Sequence, residues 1–154
     1  MNTEFMRRAV ALALENVRNG GGPFAAVIVK DERVVAEGAN CVTATNDPTA
    51  HAEVVAIRAA CQALGSFQLT GCDVYASCEP CPMCLGAIYW ARPARVYFAA
   101  AAEDAAAAGF DDTFIYEEIS RSHIARSIPM VQFLHEEGIG IFKAWMAKTD
   151  KSPY

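Results

Sequence analysis

Residues 73–100 read DVYASCEPCPMCLGAIYWARPARVYFAA. Asp73 to Ser77 has the composition of a short strand. Pro82 suits the first position of a helix, where its missing N–H costs nothing. That helix runs to about Ala91 and stops before Pro93, because a proline pushes the preceding residue out of the helical region. Val96 to Ala100 is a strand again. Strand, helix and strand in succession are the repeating unit of an α/β sheet.

The alternation continues outward. Residues 3–18 place Met6, Val10, Ala13, Leu14 and Val17 on one helical face, and Asn19-Gly20-Gly21-Gly22-Pro23 ends that helix. Phe24 to Lys30 predicts a strand buried on both faces, and Asp31 and Glu32 turn it into a second strand over Arg33 to Gly38. A polar loop spans Ala39 to Asp47. Pro48, with Asp47 as cap, predicts a helix to about Leu64 that carries His51 and Glu53 in its first turns. Toward the C-terminus, Glu103 to Ala108 reads as a short helix. Ile128 to Leu134 reads as a fifth strand or an extended segment. Phe142, Trp145 and Met146 form the apolar stripe of a last helix. The class is α/β, a sheet covered on both faces. No repeat or linker divides the 154 residues, so one domain over 1–154 is expected.

Composition narrows the function. The chain is 53% hydrophobic and 20% charged, which excludes a disordered polymer. Lys and Arg number 13 against 18 Asp and Glu, a net charge of −5. That balance argues against nucleic-acid and anionic-membrane partners, both of which need a positive field. No apolar run approaches the ~20 residues of a membrane span. Glu15 interrupts the apolar residues behind Arg7 and Arg8, so the N-terminus reads as an amphipathic helix and not a signal peptide. A cytoplasmic location is expected, and with it reduced thiols.

Six cysteines are present, and Cys78, Cys81 and Cys84 sit three apart. Such clustering without an export signal favours a metal or redox site over disulfides. Cys41, Cys61 and Cys72 read as small hydrophobes, and His123 and His135 as solvated surface residues. His51-Ala52-Glu53 and Pro80-Cys81-Pro82-Met83-Cys84 each open a helix directly after a loop. Their separation leaves room for one helix and one strand, so two helix N-termini can meet. One imidazole and two thiolates would gather there, the ligand set of a catalytic zinc with its fourth position open. Cys81 and Cys84, at i and i+3, share a helix face, and the helix N-terminus favours their thiolates. Glu53 lies off the His51 face, so it faces the water and not the ion. A carboxylate there can take a proton from water and return it to a leaving amine. His-x-Glu followed by Pro-Cys-x-x-Cys is the zinc-deaminase pattern. Three other readings compete. A lone Cys-x-x-Cys redox pair would not need His51 or Glu53. An iron–sulfur site lacks a fourth cysteine after Cys84. A structural zinc site with Cys78 as fourth ligand leaves Glu53 without a task, and Cys78 reads better as a strand-end residue facing the core.

These blocks resemble the cytidine-deaminase-like zinc hydrolase superfamily, and within it the bacterial guanine deaminases. Glu79-Pro80-Cys81-Pro82-Met83-Cys84-Leu85-Gly86-Ala87-Ile88 is shared in style with tRNA adenosine deaminases. Asn46-Asp47-Pro48-Thr49-Ala50-His51-Ala52-Glu53, Ile88-Tyr89-Trp90-Ala91-Arg92-Pro93 and Ala108-Gly109-Phe110-Asp111-Asp112-Thr113-Phe114-Ile115-Tyr116 are similar to the guanine enzymes, as is an aromatic final residue, Tyr154. The resemblance spans the whole chain. It implies a three-layer αβα sandwich with a central five-stranded mixed sheet. It implies one zinc per subunit on His51, Cys81 and Cys84, with Glu53 as proton shuttle. Asn40 and Asp112 would read the purine edge and Phe24 would stack on the base, with Ala52, Trp90 and Phe110 lining the pocket. A C-terminal tail, about residues 138–154, would be exchanged in a homodimer and bring Tyr154 over the partner's site.

The expected reaction is hydrolysis of guanine to xanthine and ammonia, with related amino-heterocycles such as ammeline as further substrates. Guanine presents its N1–H and 2-amino group side by side, and a carboxylate accepts such a pair. Asp111 or Asp112 beside Phe110 supplies one. A solvated helix face is the plainer reading of Glu117 and Glu118, with Glu117 as a candidate second acid. Two rivals remain: a tRNA adenosine deaminase, which needs a basic surface, and a zinc-binding module that performs no chemistry.

Overall fold

The computed structural model describes residues 1–153. They fall into two compact units, Met1–Asp112 and the segment from Thr113 onward. The first contains α1 (Thr3–Arg18), β1 (Ala25–Lys30), β2 (Arg33–Ala39), the single turn α2 (Val42–Thr45), α3 (Ala52–Leu64), β3 (Cys72–Cys78), α4 (Pro82–Ala91), β4 (Arg95–Ala100) and α5 (Ala102–Ala107). The second contains α6 (Thr113–Ser120), a 3-10 turn at His123–Ala125, and α7 (His135–Ala147).

The sheet of the first unit has the order β2-β1-β3-β4. Asp31 and Glu32 both adopt positive φ, 48° and 57°, the backbone that a two-residue hairpin requires. This makes β1 and β2 antiparallel neighbours. β3 runs antiparallel to β1 and parallel to β4. A parallel pair needs a crossover, and α4 is that crossover. Alternate side chains on the strands divide the core in two. Ala26, Ile28, Cys72 and Val74 pack with Ala52, Ala56 and Ala60 of α3 and Ala91 of α4. Val27, Val29 and Tyr75 point the other way, onto Ala9 of α1. The result is three layers, α1, sheet, and α3 with α4. Full burial of Ile28, Val27 or Val74 contributes about 1.5–3 kcal/mol each.

Small residues set the spacing between α3 and the sheet. Ala52, Ala56 and Ala60 let the helix lie close, and Gly38 of β2 meets it. A Cβ on Gly38 would stand 2.4 Å from the Ala52 carbonyl oxygen and 2.5 Å from the Ala56 nitrogen. Both are backbone atoms and cannot swing away.

The structure departs from the sequence reading in several places. α3 begins at Ala52 and not at Pro48. The Asp47 carboxylate accepts from the Thr49 amide (2.8 Å) and the Thr49 hydroxyl (2.7 Å), and the Ala50 amide donates to the Asp47 carbonyl. Asp47 is thus spent on a turn, with Pro48 at its second position where proline fits. The loop after β2 contains α2. The expected fifth strand at Ile128–Leu134 is not formed, and the sheet has four strands among the described residues. Pro129 has no N–H to give to a ladder, and Leu134 turns into the left-handed region at φ 53°. α6 extends the helix face read at Glu117 and Glu118 back to Thr113, a start disguised in sequence by Phe114, Ile115 and Tyr116, which favour strands.

In the second unit, Glu118 accepts from the Ser127 amide (2.6 Å), the Ser127 hydroxyl (2.9 Å) and Arg121 (2.7 Å). The Ser127 amide, first among these partners, holds its carboxyl below the usual range. No described residue from Thr113 onward is fully buried.

Gly38→Ala is expected to destabilise the protein by about 1–3 kcal/mol through overpacking. Urea denaturation of the two proteins measures it, and an unchanged midpoint would contradict the close approach.

Candidate metal centre and active site

Two helix starts build the site. His51 is the N-cap residue of α3, with extended backbone (φ −68°, ψ 153°), and Cys81 is the N-cap residue of α4 (φ −63°, ψ 168°). Neither side chain caps its own helix, so both are free to turn to a common point. Cys84 follows in the first turn of α4, where the i, i+3 spacing puts it beside Cys81. His51 Nδ1 lies 3.5 Å from Cys81 Sγ and 3.6 Å from Cys84 Sγ. The three ligand atoms lie within 4.8 Å of one another.

These distances fit zinc. Bond lengths of about 2.0 Å to nitrogen and 2.3 Å to sulfur at tetrahedral angles place nitrogen and sulfur about 3.5 Å apart. The charge of the set points the same way. Cys81 is held down at about 4, chiefly by the hydrogen bond from the Cys84 thiol and then by His51 and the Cys84 amide, against the opposing effect of burial. Cys84 is pushed up, first because it donates that bond and then by burial. The hydrogen bond to Cys81 raises His51. Two sulfurs and an imidazole gathered in this way bind a divalent cation with release of protons.

Glu53 sits in the first turn of α3 and is only 6% exposed. Burial pushes its carboxyl above the usual carboxylate range, which suits a group that must both take up and release a proton. Cys78 ends β3, is buried, and directs its thiol to the Ala101 carbonyl oxygen at 3.7 Å. It stands outside the cluster of potential ligands, so no four-ligand structural site is assembled among the described residues. Cys72 is buried, whereas Cys41 and Cys61 are half-buried. His123 and His135 are exposed.

The first unit also gathers part of the expected base-binding set. The Phe24 and Phe110 rings meet edge to face, with centroids 5.0 Å apart and planes at 88°. The Asn40 amide donates to the Phe24 carbonyl at 3.0 Å. Burial raises the Asp112 carboxyl, and the nearby Cys81 charge raises it further. Ala52 is fully buried between His51 and Glu53. Its amide is among the helix-start donors that lack an intrahelical partner. Trp90 stands at the C-terminal end of α4. It lies nine residues past Cys81 along α4, about 13 Å of helix rise, and is 66% exposed. Glu117 belongs to α6 in the second unit, and Tyr154 lies outside the described residues.

Two contributors carried no signal that the sequence reading used. The Ser77 hydroxyl accepts from the Ala25 amide (3.0 Å) at the start of β1. Glu79 accepts from the Ala102 amide (3.2 Å) and so ties the cysteine loop to α5. Each depends on a partner more than 20 residues away, beyond the reach of a local motif.

Residues 1–100 match the family described as the cytidine and deoxycytidylate deaminase zinc-binding region. The chain belongs to this family. It is 58% identical to a guanine deaminase of Bacillus subtilis over 100% of both chains. A crystal structure of the Bacillus subtilis guanine deaminase superposes with a TM-score of 0.97, covering 100% of this chain and 99% of that one. A guanine deaminase structure from Nitrosomonas europaea is 32% identical, with a TM-score of 0.66, covering 70% of this chain and 63% of that one. A tRNA-specific adenosine deaminase of Agrobacterium fabrum is 45% identical, but over 64% of each chain.

Cys84→Ala is expected to lower zinc from about one per chain to below one tenth, whereas Cys78→Ala keeps it near one. Elemental analysis of freshly purified protein distinguishes them.

Proposed function

We propose that this chain is a zinc-dependent guanine deaminase, hydrolysing guanine and water to xanthine and ammonia. The observation that carries this reading is the likeness to a guanine deaminase over the full length of both chains. The tRNA enzymes match over about two thirds only, and the net charge of −5 suits a small purine base better than an anticodon arm.

His51, Cys81 and Cys84 would hold the zinc, which when bound supplies the Lewis acidity that makes water nucleophilic near neutral pH. Glu53 does the proton work. Its carboxylate accepts a proton from the water that attacks the ring carbon bearing the 2-amino group. It passes that proton to a ring nitrogen and then assists the departure of ammonia. The raised affinity of buried Glu53 for a proton supports this role. The Met83 amide in the first turn of α4, which has no partner within the helix, would be a donor where negative charge develops. Phe24 stacks on the base, with Phe110 against its edge, and Asn40 and Asp112 take the purine's polar edge. The Ala52 amide adds a donor. Glu117 is a candidate second acid for the leaving amine, and ammeline and related amino-heterocycles are candidate alternative substrates.

We further infer a homodimer in which the C-terminal tail is exchanged and Tyr154 covers the partner's site. The second unit supports this with exposed Ile128, Val131, Phe133 (83%), Phe142 and Met146. An apolar surface of this kind marks an interface. Among the described residues, no helix is long and apolar enough to cross a membrane, and a cytoplasmic location is proposed.

Glu53→Gln is expected to retain zinc near one per chain while xanthine formation falls by at least 1,000-fold, in keeping with the loss of general acid–base catalysis. Retained turnover would remove Glu53 from the mechanism. Retained zinc with no turnover by the unaltered protein on guanine, adenine, cytosine, ammeline or a tRNA anticodon stem would favour a binding module. Sedimentation of the unaltered protein is expected to give a dimer, and removal of Ser152 to Tyr154 to lower turnover on guanine. A fully active monomer would exclude the exchange.

A further inference from the structure

Asn16 lies in the last turns of α1, outside every motif of the zinc site, and its side chain is committed to two other segments of the chain. Its Nδ2 donates to the Gly22 carbonyl at 2.7 Å and to the Asn40 carbonyl at 2.9 Å. The connections continue on the far side of both contacts. The Phe24 amide donates to that same Gly22 carbonyl at 2.9 Å, and the Asn40 amide donates to the Phe24 carbonyl at 3.0 Å. Asn16, Gly22, Phe24 and Asn40 therefore form a closed ring of hydrogen bonds. Two members of that ring are the residues assigned above to the face and the edge of the base.

The glycines fit around this amide. The Gly21 amide donates to the Asn16 carbonyl at 2.8 Å, which draws the loop over the Asn16 side chain. A Cβ on Gly21 would stand 2.5 Å from Asn16 Nδ2 and 2.6 Å from Oδ1. A Cβ on Gly22 would stand 3.2 Å from Asn40 Oδ1. The run Gly20-Gly21-Gly22 thus ends α1 and also leaves room for an amide that must reach two carbonyls at once.

We propose that Asn16 is a positioning residue for base recognition, fixing the Phe24 ring and the Asn40 side chain relative to each other through the Gly22 and Asn40 carbonyls. The proposal rests on the reading that Phe24 and Asn40 contact the purine. A carboxamide suits the task because one NH2 group offers two hydrogens in fixed directions. Aspartate has the same shape but, when ionised, offers none. Binding a flat base between a ring and an amide needs both within a few tenths of an ångström, and Asn16 adds a second tie to the single bond from the Asn40 amide to the Phe24 carbonyl.

The test uses Asn16→Ala, Asn16→Asp and Gly21→Ala in the full-length zinc-loaded protein. Gly21→Ala leaves Asn16 in place but pushes its amide aside. Each variant is expected to raise KM for guanine at least tenfold, with kcat within threefold and zinc still near one per chain. Asn16→Ala combined with both Phe24→Ala and Asn40→Ala is expected to raise KM no further than those two substitutions together, because Asn16 acts through both residues. Thermal melting is followed in parallel. A lowered Tm with unchanged KM, or a further rise in KM in the triple variant, would make Asn16 a stabilising residue only and overturn the proposal. If Asn16→Ala fails to fold, Asn16→Asp and Gly21→Ala give the same comparison. Asn40→Ala and Phe24→Ala separate the two levels. If both leave KM unchanged, the base-site reading itself falls. If they raise KM and the Asn16 and Gly21 variants do not, only the positioning role falls.

Discussion

Two helices begin at one point, and each offers a metal ligand where a helix ordinarily keeps a capping group. His51 and Cys81 occupy the N-cap positions of α3 and α4 without capping them. The positive ends of two helix dipoles therefore meet at the cluster. That field favours thiolate at Cys81 and stabilises negative charge nearby. It also means that the ligands are only as well placed as the helices. A shift of either helix along its axis would pull His51 away from the two sulfurs.

The packing beneath the helices keeps that placement. α3 rests on the sheet through Ala52, Ala56 and Ala60, and on Gly38 it rests backbone to backbone. Small side chains permit a single close arrangement, whereas long ones would allow several. β3 delivers the cysteine loop to the same end of the sheet, and the parallel pairing of β3 with β4 obliges α4 to lie across the face that α3 also covers. Glu53 is buried because this packing closes over it, and its raised proton affinity follows from that burial. The fold thus tunes the carboxyl as well as placing it.

The second unit has a different character. It holds short-range hydrogen bonds, as Glu118 with Ser127 and Arg121 illustrates, and it has no buried residue among those described. Residues 128–134 are apolar enough for a strand, but a strand exists only when an edge pairs with it, and Pro129 withholds one of the necessary donors. The four-stranded sheet follows from that failure of pairing and not from a lack of hydrophobic residues.

The sequence by itself determined whatever depends on neighbours along the chain. The helix opened by Pro82, the turn at Asp31 and Glu32, and the spacing of Cys81 and Cys84 are all local, and they were enough to indicate an α/β fold and a zinc ligand set. The motif around His51 and Glu53 was legible too, although Asp47 was misassigned as a helix cap, since an aspartate serves a cap and an Asx turn equally well until the backbone chooses. The tertiary structure alone decided which distant groups meet. It joined Phe24 to Phe110 and Ser77 to Ala25, and closed Asn16 onto Asn40. Such contacts depend on sheet order and helix spacing, which many residues fix jointly and no short motif encodes.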